Sequence, residues 1–241
     1  LDKVEEAVAE YIKLLPQSAN RSEVLGALGN FYPPGTAKGK EQWHWVVTLM
    51  SYGATAEEAQ EAAKVFTQST KIAELAASNP VKNLPLTYLD LYSQLSTDFY
   101  STYRTSEIAL FTEEPGKALA QLGKLMSTKA LDQRSFGFSV LGTNPTVPEP
   151  CSYTYTAPHY LSWYLIGTTN ADVAKNYVLA DELYETLKPL AKGYYMNEID
   201  LTRFPQLARA SFSNGKWLKL HQVRDQYDPK KRFVSYLDRK E

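Results

Sequence analysis

Twice in this chain an alternating apolar segment runs through a glycine turn into a helix. Trp45-Val46-Val47-Thr48-Leu49 leads through Gly53 to a helix from Thr55, and Trp163-Tyr164-Leu165-Ile166 leads through Gly167 to a helix capped by Asn170. A period of two giving way to a period of 3.6 marks a strand feeding a helix. Two such units sharing one antiparallel sheet make an α+β fold of ferredoxin-like type, with helices on one face. The other face is then left to cover something. Its Tyr, Ser and Thr residues suit a ligand better than a second apolar layer.

The remaining elements follow from spacing and punctuation. Residues 3 to 15 carry Val4, Val8, Tyr11, Ile12 and Leu15 at helical intervals, and Pro16 ends the pattern. Ser22 to Tyr32 is mixed, either strand or irregular. Gln42 to Ser51 alternates with both sets apolar, which predicts a central strand. Thr55 and Glu58 form a capping box for a helix reaching about Leu75. A loop is expected over 33–40, a short helix over 87–95 and a strand near Ser106–Leu110. A helix over 115–126, a strand over 134–142 and a loop over 143–150 follow. One or two strands are expected over 153–166, then a helix from Asn170 to Pro189. Gly193 to Asp200 reads as a strand, 201–212 as irregular or a short helix, and 217–226 as a last helix closed by Asp228-Pro229.

Composition narrows the function classes. Lys and Arg number 26 against 27 Asp and Glu, so no excess field exists to steer a polyanion, which argues against nucleic acid. No run of eighteen apolar residues is present to span a membrane. One cysteine, Cys151, cannot make an internal disulfide, and no Cys/His metal spacing occurs. There is no G-x-G-x-x-G and no P-loop lysine motif, so the chain carries no dinucleotide fingerprint of its own. Leu1 opens the chain without Met, which suggests a fragment or a processed chain. Asn20-Arg21-Ser22 is a glycosylation sequon if the protein is secreted. Tyrosine is abundant, 17 residues against nine Phe, and offers both a ring face and a hydroxyl to a ligand.

The candidate site centres on Gly193-Tyr194-Tyr195-Met196-Asn197-Glu198-Ile199-Asp200. On a strand, Tyr195, Asn197 and Ile199 would share one face, and Tyr194, Met196 and Glu198 the other. Tyr195 reads as a general base or as the positioner of a substrate hydroxyl; a free phenol titrates at about 10, so a base role needs that value lowered. Asn197 offers a planar ligand both a donor and an acceptor. Asp200 reads as a strand-end or helix-cap carboxylate. Tyr153, Tyr155, His159 and Trp163 are the candidate substrate-binding residues on the preceding strand. His44 and His221 read as structural, and a lone His such as His159 is more often structural than catalytic.

The C-terminal third also resembles the berberine-bridge-enzyme-like group of FAD-linked oxidases, in the vanillyl-alcohol-oxidase superfamily. Tyr195-x-Asn197-x-x-Asp200 is similar to that group's strand beside the flavin. Leu220-x-x-Val223-Arg224-x-x-Tyr227-Asp228-Pro229-x-x-x-Phe233 is similar to its terminal helix and the ending that follows. Thr156-Ala157-Pro158-His159 weakly echoes a third motif. The resemblance covers about residues 156 to 235. It implies a substrate domain over residues 1–202, with residues 203–241 returning to an FAD-binding domain on another chain or a cleaved segment. It implies FAD as cofactor, and hydride transfer to it from an alcohol, sugar or natural product. It implies that Tyr195 assists removal of the substrate proton and that Asn197 lies beside the flavin ring. Departures fall at Lys231, where the group usually has Asn, at Tyr160, where it usually has Arg, and at Leu141-Gly142-Thr143, which replaces a Gly-Gly pair. Two other readings stand beside this one: a non-catalytic α+β module dimerising through its open sheet face, and a flavin-dependent oxidative cyclase.

Overall fold

The computed structural model describes residues 1–31, 42–78, 104–142 and 157–233, together with positions 87, 89, 93 and 235. The expected loops at 33–40 and 143–150, most of 87–95, Cys151, Tyr153 and Tyr155 lie outside the described residues.

Six strands form one sheet: β1 Ser22–Phe31, β2 Gln42–Ser51, β3 Arg104–Thr112, β4 Phe136–Leu141, β5 His159–Gly167 and β6 Ala191–Tyr194. Their spatial order is β2-β1-β4-β5-β3-β6, with every neighbouring pair antiparallel. The helices are α1 Val4–Leu14, α2 Ala56–Thr67, α3 Thr70–Leu75, α4 Pro115–Ser127, α5 Asn170–Leu187, α6 Gln206–Ala210 and α7 Asn214–Tyr227.

The stretch β3-α4-β4-β5-α5-β6 is a βαββαβ unit whose four strands lie in ferredoxin-like order. The expected α+β class therefore holds, and β5–α5 is one of its two strand–turn–helix units. The other is β3–α4 rather than β2–α2. The hairpin β1–β2 extends the sheet beyond β4, which leaves β2 at the edge and not at the centre. Its doubly apolar pattern has a different cause. On one side Trp45 reaches across Gly26 of β1, where a methyl group would lie 1.9 Å from the indole nitrogen. That nitrogen donates to Ser139 Oγ on β4 at 3.1 Å. On the other side Val46 stays 46% exposed.

The core lies on the helix side. Leu161, Trp163 and Leu165 of β5 are fully buried beside Ile108 and Leu110 of β3, Leu119 and Leu122 of α4, and Leu183 and Leu187 of α5. Each such side chain contributes about 1.5–3 kcal/mol by leaving water. Gly137, opposite Trp163 in β4, would drive a methyl group into Leu122 of α4, which fixes this parity as the helix-facing one. Phe204 and Leu207, just beyond β6, join the same cluster, whereas α7 buries none of its residues.

Several boundaries differ from the expected ones. The helix after Thr55 ends at Thr67, and Ser69 caps the separate α3 by accepting from the Ile72 amide at 3.2 Å. The cap of α5 is Thr169, not Asn170: Thr169 Oγ1 accepts from the Asp172 amide at 3.1 Å, and the Asp172 carboxylate accepts from the Thr169 amide at 3.1 Å. Both hydroxyl residues satisfy amides that a helix start leaves without partners.

Candidate functional site

The face opposite the helices is built from the other parity of each strand. Phe136 and Phe138 come from β4, Tyr160, Ser162 and Tyr164 from β5, and Glu107, Ala109 and Phe111 from β3. Phe136 stacks on Tyr164 with centroids 4.7 Å apart. Tyr160 sits edge-on to Phe111 at 5.8 Å, to Phe138 at 6.3 Å and to Tyr195 at 6.2 Å. These contacts make a continuous shelf of rings on this face of the sheet.

The segment expected to be a strand over Gly193–Asp200 is one only as far as Tyr194. Tyr195 is still extended, and its amide donates to the Ala109 carbonyl at 3.1 Å. Met196–Glu198 then form a 3-10 turn, closed by the Glu198 amide donating to the Tyr195 carbonyl at 3.1 Å. Met, Asn and Glu lack the branched side chains that favour a pleated strand, so the local turn wins. The expected alternation is lost with it. Tyr194 and Ile199 point into the core, while Tyr195 and Glu198 meet on the open face. Asp200 does cap, accepting from the Thr202 and Arg203 amides at 3.1 and 3.3 Å.

Glu198 is the polar centre of this face. Its Oε2 accepts the hydroxyl of Tyr164 at 2.5 Å and that of Tyr160. Burial, helped by Glu198 itself, drives both phenols far above their ordinary range, so they stay protonated donors. On β3 nearby, burial pushes the Glu107 carboxyl up to about 6, with the charges of Glu198 and Asp200 adding to the shift. A carboxyl titrating there can take up or give a proton near neutral pH. Asn197 is exposed, and its amide nitrogen donates to the half-buried Tyr195 hydroxyl at 3.2 Å.

The structure brings Tyr195 and Asn197 together, as the sequence expected, but separates two other candidates from them. Trp163 is fully buried against the helix layer; the parity of β5 puts it in the core, not on the open face. His159 shares that parity and is buried. Its Nδ1 accepts from the Gly142 amide at 3.3 Å, and burial lowers its pKa. Both are corrected from substrate-binding to structural positions. Sequence reasoning missed Glu107, Tyr160 and Tyr164 as site residues, and it set Glu198, within the candidate segment, on the face away from Tyr195. The signal was present: Tyr160 and Tyr164 share one parity of a strand, and Glu107 is a lone charge among Ile108, Ala109 and Leu110.

Elsewhere the polar features are ordinary. A cleft between α1, α2 and α3 is lined by charged residues, and its lysines are paired with acids: Lys13 with Glu10, Lys64 with Glu61 and Lys71 with Glu6. Among the described residues no group of His, Cys, Asp and Glu is placed to hold a metal ion, and no helix is long and apolar enough to cross a membrane.

No protein-family model matches the sequence, and no curated protein does. Solved structures do match. BBE-like 1 from Physcomitrella patens superposes with a TM-score of 0.67 at 12% identity, covering 98% of this chain and 52% of that one. The 6-hydroxy-D-nicotine oxidase of Arthrobacter nicotinovorans gives 0.66 at 13% identity, over 96% and 50%. An H174A variant of berberine bridge enzyme in complex with (S)-reticuline gives 0.62 at 15% identity, over 98% and 52%. The chain thus spans about half the length of the structures it matches. In fold, this chain corresponds to one half of a berberine-bridge-enzyme-like protein.

Proposed function

We propose that this chain forms the substrate side of an FAD-dependent oxidoreductase, with residues 1–202 as the substrate domain and residues 203–241 running back to an FAD-binding half outside this chain. The substrate is a small alcohol, sugar or natural product. The observation that carries the reading is the open sheet face: a ring-lined shelf with two carboxylates, on a fold shared with one half of 6-hydroxy-D-nicotine oxidase and one half of berberine bridge enzyme.

The residues fit a planar cofactor facing that shelf, with the substrate between the two. Asn197 is exposed and offers an amide edge, and the adjacent Tyr195 offers a ring edge and a hydroxyl. Bound there, FAD would supply the hydride acceptor. The chain's own residues would do the rest. The shelf holds the substrate ring and excludes water from one side, so that the reacting bond is oriented before reaction. Tyr195 meets the substrate hydroxyl and guides its proton away. Glu107, poised to titrate at about 6, receives that proton above this pH. Tyr160 and Tyr164 remain donors throughout.

Rapid-mixing measurements of flavin reduction in the flavin-bearing protein test this. Tyr195→Phe is expected to slow reduction by about 10²-fold with the fold intact, since general acid–base groups contribute about 10²–10⁴-fold. The wild-type rate is expected to fall on an acid limb near pH 6, and Glu107→Gln to remove that limb. Unchanged kinetics in both variants would take these residues out of the reaction.

A further inference from the structure

Tyr160 and Tyr164 stand four residues apart on β5, so they share a face with Cα atoms about 13 Å apart. Their hydroxyls nevertheless converge on a single oxygen, Glu198 Oε2. That convergence depends on the break after β6. Had the strand continued, residue 198 would have followed Tyr194 into the core. The 3-10 turn over Met196–Glu198 is what delivers the carboxylate to the open face.

We propose that Glu198 is a positioning residue: it ties the two phenols into one unit and sets where their rings stand against a ligand on the sheet. The inference rests on the oxidoreductase reading above. Hydrogen bonds to a carboxylate are shorter and stronger than those between neutral groups, so one acceptor can hold both phenols. Each phenol then transmits its position. Tyr164 is stacked on Phe136 at 4.7 Å, and Tyr160 is edge-on to Tyr195 at 6.2 Å. Displacing Glu198 therefore shifts the shelf and Tyr195 together. The same carboxylate faces Glu107. Asp200, after the turn, and Tyr164, on β5, are the other titratable groups acting on Glu107 among the described residues.

Two variants separate geometry from charge. Glu198→Ala removes the acceptor, and Glu198→Gln keeps an acceptor oxygen but removes the charge. In selectively labelled protein, the Tyr160 and Tyr164 ring resonances are expected to shift and average in the Ala variant and to stay near wild-type in the Gln variant. The Glu107 carboxyl midpoint is expected to fall below about 6 in both. In the flavin-bearing protein, Glu198→Ala is expected to slow flavin reduction at least about 10-fold with a smaller change in substrate Kd, as misorientation does. Ring resonances that do not move in Glu198→Ala would overturn the proposal. So would moved resonances with an unchanged reduction rate. If the wild-type protein reduces no flavin, the oxidoreductase reading falls and takes the catalytic side of the proposal with it; the resonances still decide whether Glu198 holds the phenols.

Discussion

Glu107 shows how a single side chain can be set against the fold for the sake of a site. Its folded-state pKa of about 6 lies above the ordinary carboxyl value of 4.5, so its ionisation opposes folding. The penalty is fully present above the folded value and vanishes below the unfolded one. Glu107→Gln should therefore raise stability at pH 7 by about 1 kcal/mol, the partial exposure of the group having been allowed for. Denaturant midpoints at pH 7 and at about pH 4 check this: the gain should be absent at the lower pH. Lys231 offers a second case. It adopts φ 49°, a left-handed conformation that Asn enters far more readily, and its amide donates to the Asp228 carbonyl at 2.9 Å. This gives a physical reason for Asn at the matching place in the terminal motif. Lys231→Asn is expected to stabilise the protein by about 0.5–1 kcal/mol, with an unchanged denaturant slope.

Among the elements, what sequence made legible and what it did not divides along local and non-local physics. The helix starts were readable because hydroxyl caps act over three residues. Thr55 was placed correctly, and Thr169 was missed by one because Asn170 is equally able to cap. Thr169→Ala should cost about 1 kcal/mol, measured by chemical denaturation, since it removes the hydroxyl that accepts from the Asp172 amide while leaving the backbone half of the capping box. The end of β6 was not readable. Tyr194 to Asp200 alternates well enough for a strand, and the turn at Met196–Glu198 shows itself only in space, where Tyr195 before it and Asp200 after it donate to the Ala109 and Glu107 carbonyls of β3. Trp163 and His159 failed for a related reason. Period two tells that a strand has two faces, but not which one the helices cover. Gly137 and Leu122 settle that in space, across residues far apart in the chain.

At the scale of the molecule, a pattern of two strand–turn–helix units was enough to give an α+β sheet with helices on one side. It could not give the strand order, because pairing β3 with β5 and β6 depends on long-range register. It also could not show that the uncovered side gathers rings and carboxylates from β3, β4, β5 and the turn after β6. That gathering is the centre of the account, and under the proposed function it would set Asn197 and Tyr195 beside a planar cofactor. The direct test is the visible absorption spectrum of this chain purified natively together with the FAD-binding half, wild-type against Asn197→Asp. The account predicts a flavin band in the wild-type protein that shifts when a charge replaces the amide at 197. A colourless protein, or a flavin band that the substitution leaves unmoved, would contradict it.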